Sequence, residues 1–80
     1  MKEDFVKKYW EEEGLLFYIH FQNDIAVRQI EVKSEEKIYL SIDEPISGDS
    51  MLYDQLLYEL DLEENDFITR EEFNQIWERV

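Results

Sequence analysis

Between residues 15 and 42 the chain alternates apolar and polar side chains in successive runs, and this two-residue period restricts the segment to strands more tightly than any other feature. Leu15, Phe17, Ile19 and Phe21 share one parity, with Leu16, Tyr18 and His20 on the other. Asn23-Asp24 provides a turn, and a run from Ile25 to Lys33 follows, with β-branched residues at Ile25, Val27, Ile30 and Val32. After Ser34-Glu35-Glu36, the parity of Ile38, Leu40 and Ile42 repeats the pattern. A three-stranded antiparallel meander is predicted, ended by Asp43-Glu44-Pro45 and followed by a loop at residues 45–50.

The flanks read as helical. Phe5, Val6, Tyr9 and Trp10, with Glu3 and Asp4 ahead of them and Gly14 behind, predict a short amphipathic N-terminal helix over residues 2–13. Leu52, Leu56, Leu57 and Leu60 predict a second helix, and Phe73, Ile76, Trp77 and Val80 a third, with Trp77 buried against the sheet. Thr69-Arg70-Glu71-Glu72 is a capping box, so the last helix is expected to start there. The predicted fold class is α+β: an N-terminal helix, a three-stranded antiparallel meander, and two short C-terminal helices packed on one sheet face. Eighty residues leave room for one core, so residues 1–80 are read as a single domain.

Charge narrows the function classes. Eight Lys and Arg against twenty-one Asp and Glu give a net charge of −13, a field that repels phosphates and anionic headgroups, so direct nucleic-acid or membrane-surface binding is not expected. Residues 1–40 hold nine acids and six bases; residues 41–80 hold twelve acids and two bases. No basic residue lies between Lys37 and Arg70. Such a face can serve solubility alone. Tyr53, Tyr58 and Phe67 interleave with the acids, however, in the manner of a protein-binding rim. Tyr53, Asp54, Tyr58, Glu59, Asp61, Glu63 and Glu64 are therefore the candidate partner-binding residues, and the expected partner is a basic protein.

Catalytic chemistry has little to work with. There is no Cys, one His and no glycine-rich phosphate loop, and neither an enzyme nor a cofactor is expected. His20, among aromatic residues in mid-strand, reads as a satisfied structural histidine. Arg28 shares parity with Ile30 and Val32, so either the sheet face changes character there or the guanidinium is partly buried and paired with a carboxylate, and a structural pairing is expected in preference to a catalytic role. The longest apolar run, from Leu15 to Ile19, is too short to span a bilayer, and the first residues lack a signal-peptide stretch, so a cytoplasmic location is expected.

One motif points elsewhere. Residues 61–72 can be laid on a twelve-residue calcium loop, with Asp61, Glu63 and Asn65 in the first, third and fifth places, the Phe67 carbonyl in the seventh and Glu72 in the twelfth. Against this, the sixth place holds Asp66 instead of Gly, Glu63 is longer than the usual Asp, and no second loop exists to pair with it. The alternative function is thus an EF-hand-like calcium-binding module, and the competing reading of the same residues is a polar turn followed by a helix cap.

Four strings, F-Y-I-H-F at 17–21, R-Q-I-E at 28–31, L-Y-D-Q at 52–55 and I-T-R-E-E-F-N-Q-I-W at 68–77, occur in order. The chain resembles a group of small acidic uncharacterised bacterial proteins with an R-Q-I-E-type strand and an E-E-F-x-x-I-W helix, some of which look like immunity proteins beside secreted toxins. The resemblance implies a non-catalytic inhibitor of a basic partner such as a nuclease toxin. It marks Arg28, Asp54 and Trp77 as pattern positions without giving them a role. It also implies that residues 52–60 are partly extended.

Overall fold

The computed structural model describes residues 1–78; the Val80 position of the last helical pattern lies outside the described residues. The chain runs β1 (Glu3–Trp10), β2 (Leu15–Gln22), β3 (Ile25–Lys33), β4 (Glu36–Ser41), β5 (Ile46–Ser47), β6 (Ser50–Met51), two 3-10 turns (Leu57–Glu59 and Glu64–Asp66), β7 (Phe67–Ile68) and α1 (Arg70–Trp77). A five-stranded antiparallel sheet has the order β4-β3-β2-β1-β7, and β5 and β6 form a separate hairpin.

The predicted three-stranded meander is present as β2, β3 and β4, but two of the three predicted helices are not. Residues 3–10 form a full strand paired along its length with β2, from Glu3 opposite Gln22 to Trp10 opposite Leu15. The spacing of Phe5, Val6, Tyr9 and Trp10 also suits a strand with apolar groups on both faces, and both faces here are covered: Phe5 and Val6 are buried in different core clusters. Phe, Val, Tyr and Trp favour the pleated environment, and tertiary pairing decides the conformation. Gly14, read as a helix terminator, takes its left-handed φ of 62° in the β1–β2 hairpin, where its N–H donates to the Glu11 carbonyl at 3.2 Å. The same left-handed glycine ends helices and closes hairpins.

Residues 52–60 are the second correction. Only Leu57–Glu59 closes a 3-10 turn; the remainder runs extended or irregular across the sheet. Leu52, Leu57, Leu60 and Leu62 and Tyr53 pack on Val6, Ile19, Phe21 and Ala26, so the leucine spacing reflects a segment laid over an apolar face. Main-chain bonds fasten it: Leu57 N–H donates to Asp24 O at 2.9 Å, and Leu52 N–H to Pro45 O at 2.7 Å.

The third helix forms where the cap predicts. Thr69 Oγ1 accepts from the Glu72 N–H at 3.1 Å, while the Glu72 carboxylate turns to Lys7 Nζ at 3.8 Å. Phe73 is fully buried; Trp77 is only partly so, contrary to its predicted burial. The helix lies on the sheet face that carries Phe5, Tyr18, Ile30, Val32 and Tyr39. A bulge between His20 and Phe21 leaves Val27 without a partner on β2: Ala26 stands opposite Phe21 and Arg28 opposite His20. That extra residue puts Ala26 under the 52–62 segment and Arg28 under the helix.

Candidate docking cleft

Each sheet face holds a buried polar cluster, His20 on one and Gln29 with Glu31 on the other, and the two differ in kind. Beneath α1, the His20 ring stacks on Phe5 with centroids 4.3 Å apart and meets Phe73 at 5.8 Å. Its Nε2 lies 2.9 Å from Glu3 Oε1, and its Nδ1 accepts from Arg28 Nε at 3.0 Å. Arg28 donates further to Asn74 Oδ1 at 3.2 Å and lies over the Phe73 and Trp77 rings at 4.9 and 5.2 Å. The predicted carboxylate partner of Arg28 is thus replaced by an imidazole, an amide and two aromatic faces. Glu3 reaches the same knot from β1, accepting from Gln22 Nε2 and pairing with Arg70. These bonds hold the Glu3 carboxyl down at about 2, through Arg70 first and then His20 and Gln22. These contacts tie the helix to the sheet: Arg28 of β3 bonds Asn74 of α1, and Arg70 of α1 pairs with Glu3 of β1.

The opposite face is open at one end. A cleft of about 690 Å³ lies between the sheet and the β5–β6 hairpin, with Trp10, Leu15, Phe17 and Ile38 on the sheet side and Met51, Leu52 and Tyr53 on the covering side. Trp10 is half-exposed and tilted against Phe17, with centroids 5.8 Å apart. Gln29 and Glu31 lie on its floor, buried in the middle of β3. Register makes them neighbours on this face: Gln29 pairs with Ile19 and Leu40, and Glu31 with Phe17 and Ile38.

The loop segment supplies their hydrogen bonds. Gln29 Oε1 accepts from the Tyr53 N–H at 2.8 Å, and its amide donates to Glu31 Oε2 at 2.9 Å and to the Met51 carbonyl at 3.3 Å. Ser50 Oγ donates to Glu31 Oε1 at 2.9 Å. Burial, with Glu59 and Asp54 nearby, pushes the Tyr53 phenol up, so it stays protonated at neutral pH.

The seven predicted partner-binding residues are strung along one covering segment and do not converge on a point. Tyr53 and Asp54 line the cleft. Tyr58 and Glu59 sit on the 3-10 turn, with Tyr58 72% exposed and the Glu59 carboxylate accepting from the Leu56 N–H at 3.0 Å. Asp61, Glu63 and Glu64 are exposed farther along; the Asp61 carbonyl accepts from Lys8 Nζ at 2.6 Å. The buried pair Gln29 and Glu31 escaped sequence reasoning, although both belong to the R-Q-I-E string. Polar residues at alternate positions read as a solvent face unless a distant segment covers them.

The residues of the calcium alternative, Asp61, Glu63, Asn65, Phe67 and Glu72, do not sit in a helix-loop-helix frame, because no helix precedes them. Phe67 is in β7, opposite Val6. Asp66 is not among the residues at positive φ, and its carboxylate accepts from the Glu63 N–H at 2.8 Å and pairs with Lys8 at 3.5 Å. Among the described residues, no group of three or more His, Asp or Glu side chains is placed to hold a metal ion. No helix among them is long and apolar enough to cross a membrane. Compared with known protein families, curated proteins and solved structures, the chain matches none.

Proposed function

We propose that this chain is a non-catalytic acidic docking module for a basic protein, acting in the cytoplasm in the manner of an immunity-type inhibitor of a nuclease toxin. The observation that carries the reading is the covering segment. With its flanks, from residue 38 to residue 69, it holds nine carboxylates and no basic side chain, yet Ile42, Ile46, Met51, Tyr58 and Phe67 within that stretch stand exposed. A surface serving solubility alone gains nothing from exposed Ile, Met and Tyr, whereas a docking surface uses them as contact area ringed by charge. Charge complementarity speeds encounter and selects a basic partner.

The test is salt-dependent association. The immobilised chain is used to capture partners from a lysate, the captured protein is purified, and its affinity is measured at 50 and 500 mM salt. The Debye length shrinks from about 10 Å at 0.1 M to about 3 Å at 1 M, so the attraction of exposed charges should fall steeply. Reversal of Asp54, Glu59, Asp61 and Glu63 to Lys should reproduce that loss at low salt. Salt-independent binding, or binding indifferent to the reversal, would replace this reading with an apolar interface.

A further inference from the structure

Glu31 is the anomaly of the cleft. It is 7% exposed, yet its two recorded side-chain bonds come from neutral donors, Gln29 and Ser50, and among the described residues no cation lies within ion-pair distance of it. Two lysines line the cleft, and neither makes an ion pair with Glu31: Lys8 is held by the Asp61 carbonyl and Asp66, and Lys33, two residues farther along β3, lies beyond ion-pair distance of it. Asp49 and Asp54 add negative charge to the rim. A carboxylate taken out of water without a counter-ion is costly, and it rewards any cation that reaches it.

We propose that the cleft is a socket for an arginine side chain of the partner, with Glu31 as its counter-ion. This rests on the reading that the partner is a basic protein, and it identifies the group by which that partner is held. Each oxygen of Glu31 already accepts one bond and has a lone pair left, which matches the two parallel donors of a guanidinium. The walls fit the same group. Trp10 and Phe17 offer aromatic faces to a planar cation, and Leu15 and Met51 offer apolar surface to its stem. A lysine ammonium is a more strongly hydrated point charge, which makes it the poorer occupant. The volume lies within the roughly 300–1,000 Å³ of small-ligand sites.

The experiment titrates isotopically labelled protein with an octa-arginine peptide, using octa-citrulline as its neutral counterpart. Arginine binding should shift the Gln29 side-chain amide, the Ser50 amide and the Trp10 indole, and citrulline should not. Glu31→Gln should weaken octa-arginine binding by at least about thirtyfold, the scale of losing one partner of a buried charge pair. Glu64→Gln removes the same unit of charge from the exposed surface and should weaken it less than about fivefold. Met51→Trp fills the mouth while sparing the Gln29–Glu31–Ser50 bonds. It should also weaken binding at least about tenfold, and it decides the question alone if Glu31→Gln fails to fold. Equal effects of Glu31→Gln and Glu64→Gln, unchanged binding by Met51→Trp, or shifts confined to residues 61–66 overturn the socket while leaving the acidic docking face standing. No octa-arginine binding even at low salt overturns both.

Discussion

Arg28 Nε donates to His20 Nδ1 at 3.0 Å, and that single bond dictates the state of the imidazole. Arginine has only donors, so Nδ1 must be the unprotonated nitrogen. The ring proton then sits on Nε2 and points at Glu3 Oε1, 2.9 Å away. A second proton on the ring would face the guanidinium. Burial among Phe5 and Phe73 is the main force holding the His20 pKa below its usual value; the Arg28 and Arg70 charges add to it, and Glu3 opposes it.

Arg28→Leu should therefore raise the His20 pKa, because it frees Nδ1 and removes a nearby positive charge. Following the His20 ring signals by NMR across pH 4–8 measures the midpoint in both proteins. Coincident titration curves would show that the Arg28 contact does not govern the ring.

Acid should destabilise the fold in two windows. His20 has a lowered folded pKa, so as pH falls below the unfolded value of about 6.5 the unfolded chain takes up a proton first and stability declines, until the folded ring also titrates. Glu3 has a folded pKa of about 2. Its contribution is present above the unfolded value of about 4.3 and is lost as pH falls through about 2. The thermal-stability profile of His20→Gln should lack the upper window, and that of Glu3→Gln the lower one. A wild-type profile whose slope survives both substitutions would assign acid sensitivity to other groups.

Phe73 should matter more to stability than Trp77. Phe73 is fully buried between Phe5, His20 and Arg28, and its truncation to Ala should cost about 3 to 5 kcal/mol. Trp77 keeps an exposed portion and leans on Tyr39 and Phe73, so Trp77→Ala should cost less. Urea midpoints in the reverse order would mean that the helix is anchored chiefly at its C-terminal turn.

Gly14→Ala isolates a backbone effect. A Cβ at Gly14 meets no atom within 4 Å, so packing is unaffected, but its φ of 62° disfavours any L side chain. The expected loss is about 1 to 2 kcal/mol, and Gly14→Asn should lose less. Equal stability of the alanine variant and the wild type would mean the hairpin adopts another turn at no cost.

Calcium provides the fifth check. Residues 61–72 lack a preceding helix, and Asp66 is engaged by the Glu63 N–H and by Lys8. Titration followed by tryptophan fluorescence should show no saturable binding tighter than about millimolar, the weak end of calcium modules. A micromolar isotherm abolished by Glu72→Gln would establish the calcium alternative.

The meander and the last helix were legible because their signals are local: alternation with turn residues at 23–24 and 34–36, and the Thr69 cap. The first strand was not, since apolar groups at 5, 6, 9 and 10 satisfy a helical stripe as well as a strand covered on both sides. Residues 52–60 misled for a related reason. Their leucines face one apolar surface, but the chain reaches it extended. Of the candidate site, the acidic segment with Tyr53 and Asp54 could be read directly. Gln29 and Glu31 could not, because their burial depends on residues 50–53 returning over β3.

The ladder that puts Phe5 opposite Ile68 has a kinetic consequence. Strands β1 to β4 join through short hairpins, so their pairings need only brief excursions of the chain, whereas β7 must find β1 from the far end of the sequence. Closing that large loop loses entropy before any contact compensates it. Substitutions in the hairpins should therefore slow folding, while those in β7 and α1 should chiefly hasten unfolding. The helix and the covering segment then act as a late clasp, and their release is the first opening hydrogen exchange should detect.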